Sequence, residues 1–140
     1  MSISKYQPPV AELINYGECQ ANQEWPDYVQ ELNLGQEHIS ELIKMVTDEE
    51  LNQAKSDSPE VWCPLHAWRA LGQLKALEAF EPILGLLNNE DDDWFRDDFP
   101  TLCTLFGVET IPLLKEFLAD PSNGLYARST ISETLETLSR

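Results

Sequence analysis

Hydrophobic positions in the second half of the chain recur with helical spacing, and the recurrence has a longer period of its own. Ala67, Leu71 and Leu74 stand at i, i+4 and i+7, which places three side chains on one face of a helix. A shift of 32 places brings Phe99, Cys103 and Phe106 into the same register, and a second such shift brings Ile131, Leu135 and Leu138. Arg96 then falls on Arg128, with Pro64 at the equivalent place one step earlier. A fixed period of this size marks a repeat architecture. The first triplet is followed by Leu77, Phe80, Ile83, Leu84 and Leu87, and the second by Ile111, Leu114, Phe117 and Leu118. Both runs have helical periodicity. They end in turn formers, Asn88-Asn89 and Asp120-Pro121-Ser122-Asn123-Gly124, so the predicted unit is helix, short turn, helix. No segment shows the alternation that a strand requires.

The N-terminal part carries a looser version of the pattern. Gly35-Gln36-Glu37-His38-Ile39 resembles Gly107-Val108-Glu109-Thr110-Ile111, and Leu42, Ile43 and Val46 continue it as a second helix. Upstream, Pro8-Pro9 opens a predicted helix with Val10, Leu13 and Ile14 that stops at Gly17, because proline suits a first turn and glycine an end. A short helix is expected after Pro26 with Val29 and Leu32. Another is expected over Asp48 to Lys55, where Thr47-Asp48-Glu49-Glu50 has capping-box spacing. Ser56 to Cys63 reads as a linker ending where Pro64 opens the next helix. The last unit, from Leu125 to Ser139, lacks a second helix, so it is a cap, a fragment of something longer, or a face for a second copy.

Together these patterns predict one all-α domain over 1–140, with an atypical N-terminal unit over 1–57 and repeat units over 58–140. The expected arrangement is a right-handed α-solenoid of about three and a half helical hairpins. Its first helices form one surface and its second helices the other.

Charge changes the picture of partners. The chain has 25 acidic and nine basic residues, a net charge of −16. The basic residues are scattered from Lys5 to Arg140, whereas nucleic-acid binding needs them clustered. A basic or neutral protein partner fits the field, and nucleic acid or an anionic membrane surface does not. No apolar run is long enough to span a membrane, and the N-terminus has no secretory pattern. A cytoplasmic protein is expected. Cys19, Cys63 and Cys103 are too few and too widely spaced for a disulfide framework, and read as reduced, mostly buried thiols.

The run Ala70-Leu71-Gly72-Gln73-Leu74, followed by Glu78-Ala79-Phe80-Glu81-Pro82-Ile83-Leu84, resembles the HEAT-like repeat named after phycobilisome lyases. Tyr126-Ala127-Arg128 and Ile111-Pro112-Leu113-Leu114 are similar to the same pattern. The likeness covers Trp62 to Leu138. Pro64 departs from it where Arg96 and Arg128 carry the family's arginine, Cys103 stands at the leucine of Leu71, and Lys75-Ala76 replaces a Gly-Asp turn. The resemblance implies the helical-repeat fold and a scaffold or adaptor role. It also brings the alternatives of a bilin lyase-like subunit or a chaperone, though a fold of this kind does not by itself assign a function. A bilin's propionates favour an arginine-lined pocket, and this chain has few arginines.

The pair with most chemical promise is Cys63 and His66 on Cys63-Pro64-Leu65-His66. A zinc site needs further ligands, and only Cys19, Cys103 and His38 remain, far apart. A nucleophilic thiol needs an oriented base and an oxyanion site, which no glycine-rich loop supplies here. The favoured reading is a packed cysteine beside a histidine, with no metal, cofactor or catalytic residue expected. The acids Glu90-Asp91-Asp92-Asp93, with Asp97-Asp98, lack the alternation and glycine of a calcium loop and read as a solvated loop with a charged first turn. Arg96 and Arg128 are expected to pair with carboxylates of a neighbouring unit, such as Asp97 or Asp120. Trp62, Trp68, Arg69 and Trp94, with His66, are the candidate partner-binding edge, since tryptophan and arginine are enriched in interface hot spots. The competing reading has these rings filling the gaps between repeats. The expectation is thus a non-catalytic protein-interaction module, with a homo-oligomer through the C-terminal helix as a further alternative.

Overall fold

The computed structural model describes residues 6–18, 24–53, 58–88 and 93–138. Every element among them is helical, and no strand occurs among the described residues. The chain forms two compact units, Met1–Ala76 and Leu77–Arg140.

Local signals place the elements of the first unit. A 3-10 helix over Val10–Tyr16 ends at Gly17, whose φ of 62° is in the left-handed region that glycine adopts without strain. Helix α1 (Tyr28–Leu32) starts at Asp27, whose carboxylate accepts from the Gln30 N–H, and ends at Asn33 in the left-handed conformation. A 3-10 turn over Gln36–His38 leads into α2 (Ile39–Val46). Asp48 caps α3 (Glu49–Asn52), accepting from the backbone N–H groups of Glu50 and Leu51. Thr47 lies one residue outside the helix, so the expected capping box does not form there, and the aspartate caps α3 by itself. The segment expected to be a linker contains a 3-10 helix, Pro59–Trp62, that runs directly into α4 (Cys63–Gln73).

Helix α4 is the hub of this unit. It packs against α1, α2, α3 and the 3-10 helices Val10–Tyr16 and Pro59–Trp62, and every residue from Cys63 to Gly72 is buried. A helix enclosed on all sides must satisfy its polar side chains internally. That requirement shapes the site described below.

The second unit begins with a 3-10 turn, Leu77–Ala79, leading into α5 (Phe80–Leu84). A further 3-10 turn spans Gly85–Asn88. Then come α6 (Asp93–Phe106), a 3-10 turn over Val108–Thr110, α7 (Ile111–Ala119) and α8 (Leu125–Leu138). Helix α8 packs against both α6 and α7. The core is aromatic. Phe80 meets Phe106 edge-on at 5.3 Å between centroids, and Phe99 lies 6.1 Å from Phe80 and 5.8 Å from Phe95. Such pairs add to the burial of their own area.

The residues that carry the 32-place recurrence face inward. Ala67, Leu71, Phe99, Cys103, Phe106 and Ile131 are buried, and Leu74, Leu135 and Leu138 are half-buried. The likeness between Gly35–Ile39 and Gly107–Ile111 has a structural counterpart. Both segments, and Leu77–Phe80, form a 3-10 turn that converts to an α-helix at a large apolar residue. Gly107 enters this junction at φ 98°, which a side chain would oppose.

Candidate functional site

The polar face of α4 is spent on holding the N-terminal segment. His66, Arg69 and Gln73 lie at i, i+3 and i+7, a single helix face. His66 Nε2 lies 2.8 Å from the Gly17 carbonyl, and Nδ1 lies 2.6 Å from the Tyr28 hydroxyl. A carbonyl only accepts, so Nε2 carries a proton; in the neutral ring Nδ1 then accepts from the hydroxyl. Tyr16 completes the cluster, edge-on to Tyr28 at 4.9 Å and 5.4 Å from the imidazole. Gln73 grips the same segment twice. Its Nε2 donates to the Pro26 carbonyl at 2.7 Å, and its Oε1 accepts from the Tyr28 N–H at 2.9 Å. Between them, the Arg69 guanidinium lies over the Trp25 ring at 4.5 Å, a cation–π arrangement.

Cys63 is fully buried. Burial, with the nearby Glu60 carboxylate, pushes its thiol up to about 12, and Cys103 is raised to about 12 by burial alone. Neither is a thiolate near neutrality, and the thiolate is the nucleophilic and metal-binding form. Both ring nitrogens of His66 point to Tyr28 and Gly17. The two residues therefore share a helix end without forming a reactive couple. No group of three or more metal-binding side chains converges among the described residues. Cys19 and residues 89–92, which include most of the acidic run, lie outside the described residues.

The tryptophan edge divides between the two units. Trp62 is half-buried at the end of its 3-10 helix, while His66, Trp68 and Arg69 are 2%, 3% and 6% exposed within the first unit. Trp94 is half-buried on α6, in the second unit. Trp25, which the sequence pattern did not single out, is the ring that engages Arg69. Of the repeat arginines, Arg96 lies over the Tyr126 ring at 5.9 Å. Arg128 Nε donates to the Leu118 carbonyl at 3.1 Å, where a cation suits the last turn of α7. Its charge also reaches Asp120. That carboxyl is held below its usual range chiefly by the Ser122 hydroxyl and N–H, with Arg128 a lesser influence.

An open groove lies in the second unit between α5 and α7. It encloses about 440 Å³ and is lined by Glu81, Leu84, Gly85, Leu113, Glu116, Phe117, Asp120 and Asn123. Leu84 is nearly covered, Leu113 and Phe117 are half-buried, and the carboxylates of Glu81, Glu116 and Asp120 stand exposed around them. Sequence reading placed α5 and α7 as successive second helices but gave no reason to pair Glu81 with Glu116. Their proximity depends on how the helices pack.

At one end of the groove the chain is stapled. Asn88 Nδ2 donates to Asn123 Oδ1 at 3.1 Å, and Asn88 Oδ1 accepts from the Gly124 N–H at 2.8 Å. Asn123 Nδ2 donates to the Phe117 carbonyl at 2.8 Å. Beyond this turn, Leu125 and Tyr126 are 77% and 62% exposed, as is Val108 at 68%, large apolar surfaces left to solvent. Compared with known proteins, the chain matches no family model, no curated protein and no solved structure. No described helix is long and apolar enough to cross a membrane.

Proposed function

We propose that the chain is a protein-interaction module of HEAT-like helical hairpins, with no chemistry of its own. In this reading the hairpins continue one another as a right-handed solenoid, and the second helices present the binding surface. The observation that carries it is the groove between α5 and α7, an apolar floor within an acidic rim. Support also comes from the site with most chemical promise, where His66 and Cys63 are committed to structure. The net charge of −16 favours a basic or neutral protein partner, met in the cytoplasm. Burial of Trp68 and the stacking of Arg69 on Trp25 make both supports of the first unit, so in this reading binding is shifted to the second.

A random-peptide display selection on the intact chain tests the reading. Enrichment of basic or neutral sequences with apolar residues, relative to selection on an unrelated acidic helical protein, is the expected result. Identical pools from the two baits would reject the proposal.

A further inference from the structure

We infer that the groove between α5 and α7 takes a linear segment of a partner protein in which a lysine or arginine stands beside an aliphatic side chain. The inference rests on the interaction-module reading and names its ligand. The geometry asks for two chemistries at once. Leu84, Leu113 and Phe117 offer an apolar floor, while Glu81, Glu116 and Asp120 place negative charge at the rim. A long cationic side chain has the same two parts, an aliphatic stem and a charged head. Its stem can lie on Phe117 and Leu113 while its head meets the carboxylates, and the neighbouring aliphatic group fills the floor.

Size and charge exclude the other occupants. A space of about 440 Å³ holds a few side chains and no folded domain, so the ligand is a short segment. A bare metal ion requires oxygens converging within a few ångströms, and no such group of three occurs among the described residues. A second copy of this chain would bring another net charge of −16 towards an acidic rim, which like-charge repulsion opposes. Asp120 is fixed in its place by Ser122, whose N–H and hydroxyl donate to the same oxygen at 2.9 and 2.7 Å. Part of the rim is therefore ordered before any ligand arrives, which lowers the entropic cost of binding.

Three fluorescein-labelled synthetic peptides serve as probes. One combines Leu and Lys at helical spacing, one has Glu in place of every Lys, and one keeps the Lys but has Ser in place of every Leu. Fluorescence anisotropy at physiological salt is expected to show binding of the Leu/Lys peptide, weaker binding of the Lys/Ser peptide and none of the Glu peptide. The double variant Glu81→Gln/Glu116→Gln is expected to weaken the first by at least about tenfold, as for truncation of a charge partner in an interface. A charge-matched control, Glu12→Gln/Glu49→Gln, removes two exposed charges that do not line the groove and should change it by less than about twofold, the scale of a screened surface charge. All four glutamates are at exposed positions or on the groove rim, so the variants are expected to fold.

Equal losses in the two variants would mean that the peptide reads net charge, and the groove would be the wrong site. Unchanged binding in the groove variant would have the same meaning while leaving the module intact. Failure of wild type to bind any of the three peptides also overturns the groove assignment, whereas the display selection judges the module by itself. A dimer in sedimentation velocity without peptide, dissolved by the groove substitutions, would give the groove to a second copy and refute the proposal.

Discussion

Tyr28 is fully buried, and its hydroxyl is the partner of His66 Nδ1. Replacing it with phenylalanine keeps the ring and removes the donor, so a buried imidazole nitrogen loses its hydrogen bond. An unmet polar group of this kind costs about 1–3 kcal/mol. Urea denaturation of Tyr28→Phe should register that loss, and a change under about 0.5 kcal/mol would show that the imidazole needs no hydroxyl there. The cysteines give a second expectation. Folding raises Cys63 and Cys103 from 9.0 to about 12. The unfolded chain thus loses its thiol protons first as pH rises. Their contribution to stability is complete below about 9 and is lost as pH climbs from there towards about 12. Denaturation midpoints across that window should fall less in Cys63→Ala/Cys103→Ala than in the parent, each relative to its own value at pH 8; parallel curves would refute the shift. At this scale the sequence was half legible. That Cys63 and Cys103 are free and buried followed from the number and spacing of the cysteines. The part played by His66 did not, because its two partners are 38 and 49 positions away, and no local pattern reports so distant a bond.

Elements were more legible, since their limits are set by neighbours in the chain. Gly17 ends the first helix, Asp48 begins α3, and the glycine before Val108 opens the junction to α7. What local pattern missed was the geometry of the first turns. Apolar residues at helical spacing do not distinguish a 3-10 entry from an α-helical one, and α2, α5 and α7 each begin with a 3-10 turn. Asp48 also does more than its capping signal suggested. Its Oδ1 caps α3 while its Oδ2 accepts from the buried Tyr6 hydroxyl at 2.7 Å. Removal of a cap costs about 0.5–2 kcal/mol, and the tie to Tyr6 adds to it. Asp48→Ala should lower the urea midpoint accordingly and expose the amides of Glu50 and Leu51 to hydrogen exchange. Asp48→Asn, which keeps an oxygen for the cap, should recover most of that protection. If alanine and asparagine behave alike, the cap is not what orders α3.

For the whole molecule, the excess of acidic over basic residues acts as a field. A chain of net charge −16 is compressed against its own repulsion when it folds. Added salt screens charges more than about 10 Å apart at 0.1 M. The melting temperature should therefore rise between low salt and physiological ionic strength, with sodium chloride and potassium chloride equivalent. A fall with salt would mean that attractive ion pairs outweigh the repulsion. The all-helical class was readable because periodicity survives any arrangement of the elements. The groove was not, because its floor comes from Leu84 on α5 and Leu113 and Phe117 on α7, which meet only through packing.

The staple at the turn before α8 also governs chemical ageing. An asparagine followed by glycine tends to lose ammonia when the glycine nitrogen attacks the side-chain amide carbon, and water then opens the ring to a carboxylate. Asn123-Gly124 is such a pair, but Asn88 holds the attacking nitrogen by its N–H, and the amide under attack is tied to Asn88 and to the Phe117 carbonyl. Asn88→Ala should speed conversion on prolonged incubation, visible as a more acidic species on ion exchange and as isoaspartate in digests. Equal rates in the two proteins would show that the turn ages without regard to its clasp.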